Sequence, residues 1–325
     1  MIWLTWRQHR KQALFTLVAL GVLAAIMVPT GLAMHAKYDS LGLAACRAAL
    51  GSASLITQTE SLSDCASLGH QFQEQFSGMV FVAVLFVVLP VLVGVFFGAP
   101  LIAREIEQGT HRLVWTQGVS RLRWALVKFG LVGAITAVLA VGYALGVSWW
   151  FRPLVSATTG RLTYISFDVQ GVVPIAYTLF ALALGVFAGA FWHRVLPAMG
   201  IALVGFAAVR VAIEVLARPR YLPAQALTFF PDGTQTPNPA SGDWVLSQGV
   251  RNAAGEMVLP NAELGPCGPQ GCGRAMNEVG PGAYNWLQYQ PGDRFWAFQG
   301  IETGIFVLLA AALVFFAIRR LRTIA

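Results

Sequence analysis

Long apolar runs alternate with short polar ones along this 325-residue chain, and the runs share a length. Six of them, Ala13 to Met34, Ser77 to Ala99, Phe129 to Phe151, Gly171 to Trp192, Val195 to Leu216 and Trp296 to Ile318, hold about 20 residues each. At about 1.5 Å of rise per residue, a helix of that length crosses a hydrocarbon core about 30 Å thick. The first four contain no Asp, Glu, Lys or Arg; the fifth carries Arg210 and Glu214, and the sixth carries Glu302. The pattern predicts an all-α polytopic membrane protein with six transmembrane helices.

Composition strengthens that picture. Charged residues make up 11% of the chain and hydrophobic ones 56%, whereas a soluble domain is roughly 25% charged. A secretory signal is excluded by length, because its apolar region holds about 7 to 15 residues and Ala13 to Met34 is longer. Ahead of it, residues 1–12 place Ile2, Trp3, Leu4 and Trp6 before Arg7, His9, Arg10 and Lys11. Aromatics at headgroup level and bases against an anionic leaflet predict an interfacial amphipathic helix. Pro29, Pro90 and Pro174 are expected to kink their spans. Gly94 and Gly98, Gly142 and Gly146, and Gly185 and Gly189 recur at fours, a spacing that lets helices approach closely.

Basic residues set the orientation. With six spans both termini share a side, and that side collects Arg7, Arg10, Lys11, Arg104, Arg112, Arg121, Arg123, Lys128, Arg194, Arg319, Arg320 and Arg322 in short segments. The positive-inside rule makes both termini cytoplasmic. The same asymmetry accounts for the net charge of +7, so no nucleic-acid partner is needed to explain it. All four cysteines, Cys46, Cys65, Cys267 and Cys272, then fall outside. An even number on the oxidising side predicts disulfides, with Cys46 to Cys65 and Cys267 to Cys272 the most local of three pairings. No metal site is expected, since the outer His35 and His70 stand in no ligand frame with them.

Residues 217–295 differ in kind, holding ten of the 16 prolines and eleven glycines. They read as a small, loop-rich extracytoplasmic domain with two strand-like pieces, Trp244 to Leu246 and Glu256 to Leu259, about Gly255. The domains are thus an interfacial helix at 1–12, spans one to five at 13–216, the outer domain at 217–295, and span six with a cytoplasmic tail at 296–325.

Between spans two and three lies REIEQGTHRLVWTQGVSRLRW, residues 104–124, the largest cytoplasmic feature of the chain. Gly109 suits the end of one short helix, Thr110 the cap of the next, and Ser120 the cap of the third span. A short helix across the inner surface, with Glu105 and Glu107 before it and Arg121 and Arg123 after it, would suit docking on a soluble partner.

This run resembles the permease subunits of type-2 ABC exporters, whose form R-E-x-E-x-G-T, a leucine, V-S-R and a lysine is matched by Arg104, Glu105, Glu107, Gly109, Thr110, Leu113, Val119, Ser120, Arg121 and Lys128. The wording looks especially like that of actinobacterial permeases, and 19 arginines against three lysines fit a GC-rich genome. Trp115 and Gln117 depart from the aliphatic and small residues usual at those positions. The resemblance implies that residues 104–124 are the coupling helix, seated in a dimer of ATPase subunits, that a second permease chain completes the transporter, and that transport is export. The contact residues it implies are Arg104, Glu105, Glu107, Gly109, Thr110, His111 and Arg112.

The chain itself has no P-loop, because no Gly-Lys pair occurs in it; ATP and Mg belong on the partner, and this chain is expected to be no enzyme and to hold no cofactor. The setting is a bacterial plasma membrane. Arg210 and Glu214, four apart on one helix, are expected to pair, and with Glu302, Tyr143, Tyr177 and Thr178 they are candidates for the pathway or its gate. Two other functions compete: a membrane anchor or sensor displaying the outer domain, for which six spans are excessive, and an integral-membrane enzyme, which would need polar residues converging at membrane depth.

Overall fold

The computed structural model describes residues 2–46, 58–109, 120–157, 161–230, 243–264 and 279–323, without the side chains of 2–13, 15–17, 58–66 and 80. Among the described residues, six helical stretches are long and apolar enough to cross a membrane: Val18–Ser40, Phe81–Glu107, Arg121–Ser156, Val173–Trp192, Val195–Arg220 and Gly292–Thr323. They belong to helices α1 (Ile2–Ser40), α2 (Gln58–Val93), α3 (Ala99–Glu107), α4 (Arg121–Ala157), α6 (Val173–Trp192), α7 (Val195–Ala212) and α8 (Phe295–Thr323). A short α5 (Tyr164–Val169) lies between α4 and α6. Two spans are composite. A π-turn at Gly94–Gly98 joins α2 to α3, and another at Ile213–Ala217, with a 3-10 turn at Arg218–Arg220, extends α7.

Several helices overrun their apolar cores. α4 runs from Arg121 to Ala157, and α2 begins at Gln58 but kinks at Phe76 (φ −115°, ψ 17°), just before its apolar run. The helix that begins at Ile2 has no break between residues 12 and 13, so the segment expected to lie in the interface continues directly into the first span. Pro174 does not kink its span: it sits in the first turn of α6, where its missing N–H costs nothing. Pro90 does lie inside a helix. The acceptor it leaves without a helical donor, the carbonyl of Phe86 four residues back, receives the Tyr143 hydroxyl of α4 at 2.6 Å.

α6 is the central helix, packed against α8, α7, α4, α2 and α3. Its glycines explain how closely it is held. A Cβ on Gly185 would stand 2.2 Å from the Gly94 carbonyl oxygen, and one on Gly189 2.6 Å from that of Ala99, so backbone lies on backbone through the π-turn. Gly142 and Gly146, with the same spacing, face nothing within 4 Å. Tyr177, Phe180, Phe206, Phe298 and Phe306 fill the core at the other end of α6. Val138, Leu145, Leu196, Val204, Leu308 and Phe315 project outward, as lipid-facing residues do.

The expectation of an all-α chain is corrected in the region between α7 and α8, which forms a four-stranded antiparallel sheet. Strands β1 (Gln225–Phe229), β2 (Trp244–Arg251), β3 (Met257–Pro260) and β4 (Tyr284–Gln290) are ordered β1-β4-β2-β3. The β2–β3 hairpin extends the first piece read from the sequence, Trp244 to Leu246, to Arg251 and shifts the second, Glu256 to Leu259, by one residue to Met257–Pro260. Its turn is built by Asn252, whose Oδ1 accepts from the N–H groups of Ala254 at 3.0 Å and Glu256 at 2.9 Å, and by Gly255 at φ 84°. The Gln290 amide donates to the Leu222 carbonyl at 2.7 Å and Arg294 to that of Pro223, also at 2.7 Å, which fastens the sheet to the adjoining ends of α7 and α8.

Candidate functional site

The spans present two polar constellations, one at each end. At the end away from the sheet, α3 terminates as its sequence dictates. Gly109 adopts φ 71° and donates its N–H to the Ile106 carbonyl at 3.1 Å, the left-handed close that glycine tolerates. On the return side Ser120 caps α4, its hydroxyl accepting from Arg123 N–H at 3.3 Å. Thr110, His111 and Arg112, and the expected short helix between these caps, lie outside the described residues.

The two carboxylates at the base of this segment are engaged within the chain. Glu105 Oε1 meets Lys128 Nζ at 2.5 Å, a tie from α3 to α4 in which the Lys128 side chain is 5% exposed and lies over the Trp124 ring. Glu107 Oε2 accepts the backbone N–H of Val195 at 3.0 Å, so α3 caps the start of α7. A carboxylate there satisfies an orphan donor and faces the positive end of the helix dipole. Arg121 donates to the Arg322 carbonyl at 3.3 Å, joining α4 to the end of α8. Arg104 is exposed.

At the sheet end, Arg218 is fully buried and holds Glu302 with two donors, Nε to Oε2 at 2.9 Å and Nη2 to Oε1 at 2.8 Å. Its Nη2 also meets Asp168 Oδ1 at 2.8 Å. Arg210 pairs with the other Asp168 oxygen and stacks its guanidinium 4.0 Å from the Tyr177 ring centroid. The Tyr177 hydroxyl donates within the same group, to Glu302 and, at 3.2 Å, Asp168. Tyr221 donates to Glu302 at 3.1 Å, and burial together with the Glu302 charge raises its phenol above the ordinary range.

Two arginines thus balance two carboxylates drawn from α5, α7 with its extension, and α8. Beside them the Gln299 side chain accepts the N–H groups of Val172 and Val173, each at 2.9 Å, and donates to the Phe167 carbonyl at 3.0 Å, capping α6 from α8.

Arg210, Tyr177 and Glu302 are therefore brought together as candidates, and Asp168, Arg218 and Gln299 were missed. The expected ion pair of Arg210 with Glu214 does not form, because the π-turn at Ile213–Ala217 interrupts the i, i+4 register and Arg210 turns to Asp168. Glu214 is half-buried. Tyr143 serves the Phe86 carbonyl, and Thr178 bonds the Pro174 carbonyl of its own helix at 2.8 Å. Polar residues do converge here, and each oxygen of Asp168 and Glu302 is held by an arginine or a tyrosine. Cys65, Cys267 and Cys272 have side chains outside the described residues.

Six apolar spans among the described residues, the central α6 one of them, define a multi-pass membrane protein. The family model described as ABC-2 membrane transporter related matches residues 17–218, more than half of the chain, and the chain belongs to that family. Membership makes it a transmembrane component of an ABC transporter and implies association with an ATPase subunit. No curated protein and no solved structure matches it.

Proposed function

We propose that the chain is the permease subunit of an ATP-driven exporter in a bacterial plasma membrane, with both termini cytoplasmic and with residues 104–124 seated on a separate ATPase dimer. The observation that carries this reading is the base of the segment. Caps at Gly109 and Ser120 set off residues 110–119 from the spans, while Glu105, Glu107 and Arg121 tie the two sides to α4, α7 and α8. A partner moving the segment would therefore move four spans. ATP and Mg act on the ATPase subunits, since this chain supplies no P-loop. A second permease chain would complete the pathway, and outer disulfides would brace the extracytoplasmic loops; Cys46 is not a free thiol. Affinity purification from the native membrane tests the reading. An ATPase with a P-loop should copurify, and its absence would leave the anchor or sensor alternative standing.

A further inference from the structure

We infer that Glu107 is a positioning residue of transport, the tie through which displacement of the 104–124 segment reaches α7 and the charge network at its far end; this rests on the permease reading above. α7 starts at Val195, and the residue before it, Arg194, gives no side-chain cap. The first N–H of the helix is taken instead by Glu107 from α3 at 3.0 Å.

Apolar packing also holds α7 there. Its apolar contacts with α3 and α6 at this end centre on Ala99, Ala103, Ala188 and Ala198, with Val195, Met199 and Ile201 of α7 packed against them. Leu196 is 80% exposed. The Glu107 bond adds a directional polar tie from α3 to this packed end of α7.

From that point the helix delivers motion to one place. Arg210 lies 15 residues beyond Val195, about 22 Å along an α-helix, and Arg218 follows the π-turn. These two hold Asp168 of α5 and Glu302 of α8. α7 therefore spans from the segment's own carboxylate to the network that joins the opposite ends of α5, α7 and α8. Glu107 lies within the motif that suggested ATPase docking, but its acceptor oxygen is spent inside the chain.

The test uses the complex with its copurified ATPase in nanodiscs, with spin labels at R152C on α4 and R220C beyond α7, both exposed positions at the sheet end. ATP with vanadate should change the distance between them in the parent. Measured on the ATPase-bound fraction of each variant, E107A should lose at least three-quarters of that change, while E107Q, which keeps an acceptor for the Val195 N–H, should retain most of it. Loss of ATPase recovery in both variants would make Glu107 a docking charge and overturn the proposal. So would an undiminished distance change in E107A. A parent that recovers no ATPase overturns the permease reading itself, and the inference with it.

Discussion

The Tyr143 hydroxyl fills the hydrogen bond that Pro90 cannot make, donating at 2.6 Å to the Phe86 carbonyl one turn before the proline. An apolar helix interior leaves an unpaired carbonyl no alternative partner. Y143F should therefore destabilise the protein by about 1 to 3 kcal/mol. P90A, which restores an N–H four residues on, should remove most of that penalty. Thermal unfolding of the two single variants and the double variant forms the cycle, and additive effects would refute the relationship.

Breaking the Arg218–Glu302 pair should cost more. Arg218 to Met strands two buried carboxylates beside a single remaining arginine, for which about 3 to 5 kcal/mol is usual. The double variant R218M/E302M leaves Arg210 with Asp168, a balanced pair, and should recover much of the loss. Melting temperature in detergent reports both, and a double variant worse than R218M would count against pairwise balance.

Glycines of equal spacing should differ sharply in tolerance. G185A places a methyl 2.2 Å from the Gly94 oxygen and must push α6 off the π-turn, whereas G142A meets nothing within 4 Å. The first should cost about 1 to 3 kcal/mol as overpacking, and the second less than about 0.5 kcal/mol. Unfolding midpoints compare them directly.

Accessibility labelling should find a cysteine at position 117 shielded from a membrane-impermeant outside reagent and a cysteine in the β2–β3 turn, at position 254, labelled. The basic residues flanking the segment motivate the orientation. Outside labelling at 117 would invert it. In the same preparation, mass spectrometry of non-reduced peptides should find Cys46 joined to Cys65 and Cys267 to Cys272.

Much of the fold was legible because a bilayer imposes one length scale on apolar runs, and the six spans follow from it. The caps at Gly109 and Ser120 were legible for a related reason, since backbone chemistry alone selects those residues. The sheet was half legible. β2 and β3 flank a recognisable turn, but the buried residues of β4 are Asn285, Leu287 and Gln290, two of them polar and Gln290 on the face opposite the other two, so its pattern does not read as a strand with one apolar side. Asn285 earns its place by exchanging two hydrogen bonds with the Leu264 backbone, at 2.8 and 2.9 Å. Asp168 and Arg218 escaped notice because both stand just beyond apolar runs, where charges are ordinary. The spacing of Gln299 and Glu302, three apart at the start of the sixth span, was the available hint. The register shift that separates Arg210 from Glu214 has no local signature, since a π-turn is chosen by the packing of α7 and not by its residues.

The other π-turn, at Gly94–Gly98, acts as a phase shifter for everything that follows it. Each residue advances an α-helix by about 100°, and a π-turn inserts one residue's worth of that rotation without lengthening the ladder of bonds much. Arg104, Glu105 and Glu107 lie six to nine residues past its end, so the compass bearing of their side chains is fixed deep between the glycines of α6. Deleting one residue there would leave the composition of the 104–124 segment untouched and yet turn its base by about a quarter of a circle, away from Lys128 and Val195.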